Sequence, residues 1–255
     1  MDQSISAALR AHELMEVARI KLEDDTSQSD DPYPPAWTSI NLKLYPRLLR
    51  VSLPRADRSG QLDFLQALDR RRSVRQFDDT YTVTLQVLGA VLDLALSADP
   101  SSGGYYHRPY PSAGARHPIE VYLLALNIEH VLPGIYHYNS HDHYLTILLE
   151  KDLTSDIADV LGDTEIVSPS FIIILSAVFH RSSVKYGGRG YRYALLEAGA
   201  VAQTLDLICR TANLGVVWVG GFPDTYINEL LDVNWELELE SPVIMLAAGY
   251  EKLST

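Results

Sequence analysis

The chain has 255 residues and a mass of 28.4 kDa, and 47% of its residues are hydrophobic, which suffices for one sizeable core and excludes disorder of the whole chain. Its 33 acidic and 21 basic residues give a net charge of −12, which argues against nucleic acid and anionic membranes as partners. A single cysteine, Cys209, excludes an internal disulfide, and no apolar run approaches the roughly 20 residues that span a bilayer. Because the first 25 residues also lack an apolar signal-peptide run, we expect a cytoplasmic protein.

Residues 1–60 are predicted to form an N-terminal region that precedes the main domain. Within the first 25 residues, apolar side chains at helical spacing indicate a helix through Ala11, Leu14, Met15, Ala18 and Leu22. An acidic connector, DDTSQSDDPYPPAW, follows at residues 24–37. The next stretch, WTSINLKLYPRLLRVSLPR, is apolar but interrupted by Pro46 and Pro54, so we predict an extended arm that lies on a surface.

From Gln61 onward, helical and strand patterns alternate, which predicts one α+β domain over residues 61–255. Helices at 64–70 and 85–95 are each expected to bury one face, and a helix from Tyr193 to Asn213 is apolar on almost all sides, which predicts a central position. Strands are predicted at Glu120–Leu126, Gly134–Asn139, Tyr144–Leu149, Phe171–Phe179 and 241–250. The polar turn from Ser140 to His143 predicts that the second and third strands form an antiparallel hairpin.

The segment RRRSVRQF, residues 70–77, places four arginines around one serine in an otherwise acidic protein. Its ordinary interpretation is a solvated helix end, where cations interact favourably with the helix dipole. Its functional interpretation is a phosphate clamp, because arginine offers a planar set of donors that matches phosphate oxygens, and Ser73 adds a hydroxyl. Such a clamp can hold a phosphorylated cofactor.

Three further segments combine small residues with aromatic or basic ones. RPYPSAGARHP at 108–118 is either a structural loop or a place where main-chain amides approach a flat ligand. KYGGRGYRY at 185–193 is predicted to be a loop that lines a site, since three tyrosines are costly to leave in water. VGGFP at 219–223 is uninformative alone, because paired glycines can simply close a turn, and it is informative only together with the other segments. Glu197, on the apolar central helix, needs a partner, for which Arg192 or Tyr193 is available.

His137, His141 and His143 are close enough in sequence to raise the question of a metal site. We expect no metal there, because His137 lies across the predicted turn from the other two, and no carboxylate or cysteine with zinc-site spacing accompanies them. On a hairpin, His141 and His143 can share one strand face, and the three histidines are expected to be surface residues of an amphipathic hairpin.

Taken in order, these segments resemble the nitroreductase superfamily, and more narrowly its SagB-type branch of azoline dehydrogenases. RRRSVRQF is similar to the superfamily's opening signature, and successive blocks of the branch resemble RPYPSAGARHPIEVYLLAL, GIYHYNSHDHYL, KYGGRGYRYALLEAGAVAQTL and VGGF. The resemblance covers roughly residues 37–250. Two departures are Ala113, which replaces the first glycine of a PSGG-like loop, and Ala200, which stands where the branch often has histidine.

The resemblance implies a nitroreductase-like α+β fold, with helices flanking a mixed or antiparallel sheet, in a two-fold homodimer that binds flavin mononucleotide (FMN) non-covalently at its interface. The matching positions imply that the FMN phosphate and ribityl chain are held by Arg71, Arg72, Ser73 and Arg75. They imply that the flavin ring is lined, from the partner subunit, by Pro111, Ser112, Ala113 and Gly114. The main chain of Gly220 and Gly221 would face the flavin N5, and the implied catalytic pair is Lys185 and Tyr186.

The implied reaction oxidises a thiazoline or oxazoline to the azole, in a peptide or in a carrier-bound intermediate. It removes a proton and a hydride, so the site must hold a base and a flavin against one flat ring. Lys185 can be the base only if burial or nearby arginines lower its pKa, and Tyr186 can relay or donate a proton. The predicted N-terminal helix can embrace the other subunit or dock a peptide leader or a cyclodehydratase partner, and the acidic connector suits each of these.

Two alternatives stay open on the sequence. The first is a generic nitro or quinone reductase that draws electrons from NAD(P)H, against which the Lys185–Tyr186 match argues. The chain also has no GxGxxG after a strand to bind a nicotinamide cofactor. The second is a flavin-free scaffold subunit of a peptide-modifying complex.

Overall fold

A computed structural model describes residues 42–57, 64–100, 106–233 and 239–252 of the protein. The predicted N-terminal helix, the acidic connector and the first residues of the predicted arm lie outside the described residues.

An antiparallel sheet of seven strands lies at the centre of the described fold, in the order β1-β6-β5-β4-β7-β9-β8. Its strands are β1 (Arg50–Ser52), β4 (Ile119–Ala125), β5 (Gly134–Asn139), β6 (Tyr144–Glu150), β7 (Phe171–Val178), β8 (Leu214–Val219) and β9 (Glu240–Tyr250). A separate short pair consists of β2 (Asp99–Pro100) and β3 (Tyr106–His107). The strands predicted from the sequence are all present, with ends shifted by one residue or so.

Helices cover both faces of this sheet. They are α1 (Phe64–Arg70), α2 (Leu85–Leu96), α3 (Ile157–Leu161), α4 (Phe179–Tyr186), α5 (Arg189–Thr211) and α6 (Asp224–Leu231). Because side chains alternate along a strand, Leu123 of β4 packs in one core with α2 and α5, while Tyr122 and Leu124 pack in a second core with α3 and α6. The fold is therefore the α+β arrangement expected from the sequence.

The long helix α5 is the central helix of the larger core. Ala198, Val201, Leu205 and Cys209 recur at helical spacing and are buried. The helix begins at Arg189, four residues before the predicted start, and it ends close to the predicted end.

The prediction of a loop over residues 185–193 is wrong. Lys185 and Tyr186 form the last turn of α4, and α5 begins at Arg189. The break between the helices is confined to Gly187, with φ +55° and ψ −140°, and to Gly188. Gly190 has no side chain where α5 crosses the main chain of α4, because a β-carbon there would lie 2.6 Å from the amide nitrogen of Ser183. The glycines therefore permit close helix packing, which local composition does not distinguish from a loop.

The expectation that α1 buries an apolar face is also wrong. Phe64, Leu65 and Leu68 are 60%, 70% and 43% exposed, and the residue of this helix that is buried is Ala67. The short helix contacts α5. Because its three large apolar side chains are exposed, the apolar stripe faces away from the core.

The hairpin of β5 and β6 forms as predicted, but its histidines differ from expectation. His141 and His143 lie in the turn and not on a strand, and His137 and His143 are buried rather than on the surface. His143 Nδ1 is 2.8 Å from the Tyr138 hydroxyl, so this histidine is part of the core packing. The described residues contain no group of three or more histidine, cysteine or carboxylate side chains placed to hold a metal ion.

The described part of the arm, residues 42–57, is more than a surface strap. Its residues 50–52 form β1, which pairs with β6, and Leu53 is buried. Arg55 forms an ion pair of 2.8 Å with the buried Asp93 of α2. Among the described residues, no helix is both long and apolar enough to cross a membrane.

Candidate active site

The Lys185–Tyr186 pair at the end of α4 packs against the loop that carries Pro111 to Gly114. Gly114 has a φ of +60°, and a β-carbon there would overlap the phenolic oxygen of Tyr186 and lie 3.1 Å from Nζ of Lys185. Only glycine fits this position without displacing one of the two side chains. The structure thus brings together two segments that the sequence singled out separately.

Buried arginines fasten this loop to α4. Arg181 of α4 donates a hydrogen bond of 3.0 Å to the carbonyl of His117, and Nε of Arg116 donates one of 2.6 Å to the carbonyl of Arg181. Arg181 also forms a buried ion pair with Glu120 of β4. Burial raises the pKa of Glu120, but the charge of Arg181 and the hydrogen bond from His137 outweigh it and lower the pKa to about 2.

Tyr186 is surrounded by groups that keep it neutral near pH 7. Its ring contacts that of Tyr193 edge to face, with centroids 5.0 Å apart, and Nζ of Lys185 lies 5.6 Å from its ring centroid. Burial and the neighbouring Tyr193 raise the pKa of Tyr186, against a smaller lowering effect of Arg116. A neutral phenol in this place is able to donate a proton.

Glu197 of α5 is a buried carboxylate on the inner side of the same loop. It is 4% exposed, and neither carboxylate oxygen has a hydrogen-bond partner among the described residues. Burial raises its pKa to about 7, although Ser112, Arg108 and Arg181 act in the opposite direction. The predicted pairing with Arg192 or Tyr193 is therefore wrong. Among the groups that lower the pKa of Glu197, the hydroxyl of Ser112 has the largest effect. That hydroxyl also accepts a hydrogen bond of 2.9 Å from the amide of His117.

The arginine-rich segment lies beside β8, the strand at one edge of the sheet. Ser73 bridges to Val216 of β8, and the amide of Val74 donates to the Val216 carbonyl at 2.9 Å. The buried guanidinium of Arg210 donates to the carbonyls of Arg72 and Val216, and Asp206 holds its Nε at 3.0 Å. The ion pair of Arg210 with Asp206 thus helps to fix the main chain next to Ser73.

The side chains of this segment are exposed but not equivalent. Arg70 donates to Asn213 at 3.1 Å, and Arg72 binds both carboxylate oxygens of Glu251. Arg75 has a looser ion pair, 3.9 Å from the exposed Glu165. Ser73 and Arg71 are exposed as well. Arg71, Ser73 and Arg75 are therefore better placed to bind an added anion than Arg72.

Gly220 and Gly221 follow β8 directly and leave room beside the main chain. Apart from each glycine and its neighbours in the chain, no atom of the described residues lies within 4 Å of where a β-carbon would be at either glycine. Gly221 also borders an open cleft of about 910 Å³, lined by Asp156, Ala158, Asp159, Gly162, Thr164, Phe222, Pro223 and Tyr226. A flat ring can therefore approach this stretch of main chain.

Sheet topology sets the distance between these segments. The loop before β4, the start of α4 after β7 and Gly220 after β8 all lie toward one end of the sheet. Ile119 pairs with Ala177, Val178 pairs with Glu240, and the end of β8 at Val219 pairs with Met245 of the antiparallel β9. β9 lies between β7 and β8, so the two strands are about 10 Å apart. The structure therefore forms two separate groups within one chain, the Gly114–Lys185–Tyr186 group and the Ser73–Gly220 group.

The second group fits a flavin mononucleotide. Guanidinium and hydroxyl donors at Arg71, Ser73 and Arg75 match a phosphate. Ser73 bridges to Val216, and Gly220 lies four residues further along the chain, about 13 Å from Val216. That spacing and the bare main chain suit a ligand with an anionic tail and a flat ring.

Several residues of the site carried no recognisable signal in the sequence. Glu120, His137 and Arg181 are single polar residues in three different elements, and nothing local marks them as partners. Arg210 and Asp206 show only helical i, i+4 spacing. Glu197 was marked by its position on an apolar helix, which is the signal that finds a buried carboxylate.

Comparisons with known proteins identify the family of this chain. The nitroreductase family model matches residues 68–250. MJ1384 of Methanocaldococcus jannaschii is 29% identical over 202 residues, which cover 79% of this chain and 96% of that protein. The microcin B17-processing protein McbC of Escherichia coli is 32% identical over 178 residues, which cover 65% of this chain and 62% of McbC.

Among solved structures, the E. coli microcin synthetase McbBCD complex with truncated pro-MccB17 bound contains a chain of the same fold. It matches with a TM-score of 0.65 and 23% identity, and the match covers 100% of this chain and 95% of that one. On the family match, which spans most of the chain, this protein belongs to the nitroreductase family.

Proposed function

We propose that this protein is an FMN-dependent dehydrogenase that oxidises azolines, either thiazoline or oxazoline, to azoles in a peptide or a carrier-bound natural-product intermediate. The observation that carries the proposal is the packing of Lys185 and Tyr186 against Gly114 of the loop expected to line the flavin. Family membership supports an oxidoreductase, and the likeness to a microcin-processing protein supports a peptide substrate.

The chemistry assigns a distinct task to each member of the pair. Aromatisation of an azoline breaks two C–H bonds, one hydrogen leaving as a proton and the other as a hydride. Bound FMN would accept the hydride and pass the electrons to dioxygen or another acceptor. Lys185 is proposed to take the proton, and Tyr186, whose raised pKa keeps it neutral, to donate or relay one. Because Gly114 has no side chain, both groups can approach the loop that is proposed to line the flavin ring.

The cofactor is proposed to be held by the residues expected from the sequence. Arg71, Ser73 and Arg75 would bind the phosphate and ribityl chain, with a smaller part for Arg72, which already binds Glu251. The main chain of Gly220 and Gly221 would face the flavin N5. Pro111, Ser112, Ala113 and Gly114 would line the ring from the second subunit.

A two-fold homodimer is part of the proposal, because each chain holds the two groups at separate places on the sheet. The helix α5 offers an apolar surface for it, with Tyr191, Leu195 and Leu196 exposed. Gly199, on the same helix, has open space beside it. Exposed apolar faces of this kind are typical of subunit interfaces.

We further propose that a cyclodehydratase supplies the azoline and works beside this enzyme. The fold match to a chain of the McbBCD complex, which was solved with pro-MccB17 bound, supports such an assembly. We also propose a division into an N-terminal region, 1–60, and an FMN-binding domain, 61–255.

The test is a purification followed by two measurements. An absorbance spectrum and the mass of the cofactor released by heat should identify FMN. Oxygen uptake with an azoline-containing peptide, followed by a mass loss of two hydrogens per ring, should show the reaction. A yellow protein that leaves every azoline peptide unchanged under air and with artificial acceptors would contradict the substrate assignment.

Two controls separate the alternative functions. Anaerobic mixing with NADPH bleaches the flavin of a generic nitro or quinone reductase, whereas the proposed dehydrogenase needs the azoline for bleaching. A colourless, folded protein that takes up no FMN would instead support a flavin-free scaffold subunit.

A further inference from the structure

A continuous group of polar side chains runs from the N-terminal arm through the sheet to α4. We call it the arm–helix cluster, and its members are Lys43, Tyr45, Glu120, Tyr122, His137, Ser176, Arg181 and Glu240. Its residues come from the arm, four strands and one helix. Polar groups in a core hold one arrangement when all are paired, and they are costly when one partner is removed.

At the arm end, a cation from outside the main domain pairs with a buried carboxylate. Nζ of Lys43 lies 2.7 Å from Oε2 of Glu240 and 2.8 Å from the hydroxyl of Tyr122. The other oxygen of Glu240 accepts hydrogen bonds from Tyr122 at 2.8 Å and from Ser176 at 2.6 Å. The side chain of Glu240 is 2% exposed, so its negative charge depends on Lys43 for compensation.

In the middle of the cluster, two tyrosine rings hold a histidine. Tyr45 of the arm and Tyr122 of β4 each contact the ring of His137 edge to face, with centroids 5.2 Å apart in both cases. The Nε2 atom of His137 lies 2.8 Å from a carboxylate oxygen of Glu120. A shift of either tyrosine therefore moves the histidine that fixes this carboxylate.

At the helix end, Glu120 fixes the helix of the proposed catalytic pair. Its other oxygen pairs with Arg181, which lies one helical turn before Lys185 and also donates to the carbonyl of His117. The guanidinium of Arg181, a residue of α4, thus binds both Glu120 of β4 and the loop that carries Gly114. The cluster is a continuous path from the arm to both halves of the Gly114–Lys185–Tyr186 group.

We propose that Lys43 and Tyr45 of the arm are positioning residues, which set the place of α4 and so of Lys185 and Tyr186 against Gly114. Without Lys43, only the hydroxyls of Tyr122 and Ser176 would remain to compensate the charge of Glu240, and we expect Tyr122 to shift from its contact with His137. The role of the arm in positioning α4 does not depend on the proposed function, whereas the effect on turnover rests on it.

The chain offers a matched control for this proposal. Arg55 is a second arm cation that pairs with a buried carboxylate, Asp93, but this pair packs on α2 and not on α4. Lys43→Met and Arg55→Met therefore each remove one ion pair between the arm and the core. Lys43→Arg keeps the charge. Tyr45→Leu removes the ring contact with His137 and the hydroxyl's interactions with Tyr122 and Lys43, while both members of the Lys43–Glu240 ion pair remain.

Hydrogen exchange of the FMN-loaded protein, measured by mass spectrometry, is the first measurement. We expect Lys43→Met and Tyr45→Leu to raise exchange in peptides covering 111–117 and 179–186 by about tenfold, with Arg55→Met raising exchange near α2 instead. Lys43→Arg should restore the wild-type pattern. In the azoline assay, kcat of Lys43→Met should fall about tenfold at unchanged KM and FMN content.

Unchanged exchange at 179–186 in both Lys43→Met and Tyr45→Leu would overturn the proposal, as would an equal effect of Arg55→Met on that segment. If Lys43→Met does not fold, Tyr45→Leu decides alone, since it leaves both ion pairs in place. If the wild-type protein oxidises no azoline, the exchange measurement still decides the positioning role, and the failure then belongs to the proposed function.

Discussion

Gly114 and Tyr186 are in such close contact that a single added methyl group at position 114 would overlap the phenolic oxygen. The same group would touch the amine of Lys185. If the loop of Gly114 lines the flavin of the partner subunit, then Lys185 and Tyr186 reach the same flavin from the same side. One chain would then supply the acid–base pair, and the other chain the phosphate site.

Gly114→Ala should abolish most of the activity while the fold is retained. The methyl group displaces Tyr186 or Lys185, and the φ of +60° adds strain, so we expect turnover to fall about 100-fold. Steady-state oxidation of an azoline peptide measures this, with circular dichroism to check folding. Ala115→Gly, in the same loop but outside the residues proposed to line the flavin, is the matched control, and it should leave turnover within about twofold because it adds no atoms and suits a φ of +51°. Full activity of Gly114→Ala would show that the contact plays no part in catalysis.

Tyr186→Phe should separate proton transfer from binding. The change removes one hydroxyl and keeps the ring contact with Tyr193, so FMN content and melting temperature should stay the same while kcat falls about 100-fold. Tyr191→Phe, a tyrosine stacked on Phe179 on the exposed side of α5, serves as the control. Equal turnover of Tyr186→Phe and wild type would exclude the phenol as a proton donor.

The arginines of the RRRSVRQF segment should differ in their effect on FMN affinity. Arg75→Gln removes a cation with only a loose ion pair at 3.9 Å, so the Kd for FMN should rise about 10- to 100-fold, as for a lost charge-assisted hydrogen bond. Arg72→Gln should raise it by less than about threefold, because that side chain is bound to Glu251. Fluorescence titration of the apoprotein with FMN compares the two. A larger effect at Arg72 would reassign the phosphate contact.

Because of Glu197, the free energy of unfolding should depend on pH between about pH 4.5 and pH 7. A carboxyl whose pKa is raised to about 7 in the folded protein binds its proton more tightly than in the unfolded chain. The free energy of unfolding therefore falls as the pH rises from about 4.5 to 7, by up to about 3 kcal/mol. Glu197→Gln mimics the neutral form and should be more stable than wild type at pH 8 and similar at pH 5. Urea unfolding at both pH values measures this, with the exposed Glu229→Gln as the control.

Much of the fold was predictable because its signals are local. The polar turn of the hairpin, the apolar run of β7 and the stripe of α5 each depend on neighbouring residues, and each appears in the structure. The glycines at 187 and 190 were misread because glycine is equally suited to a loop and to closely packed helices. The exposed face of α1 was misread because an apolar stripe does not say what it faces.

The candidate site was predictable only in pieces. Family resemblance marked Lys185, Tyr186 and Gly114 separately, but their contact joins residues far apart in the chain. Glu120, His137 and Arg181 carry no local pattern, since each is a single polar residue whose partner is set by strand register. Long-range pairing of this kind is a property of the folded chain.

The pairing of β1 with β6 has a practical consequence for shortened versions of the protein. A chain that starts at residue 58 would lack β1, so the amide and carbonyl groups of β6 that now bond to residues 49–52 would face solvent. Bare strand edges recruit strands from other molecules, and the result is aggregation. Shortened chains should therefore retain residues 42–57 to remain monodisperse during crystallisation.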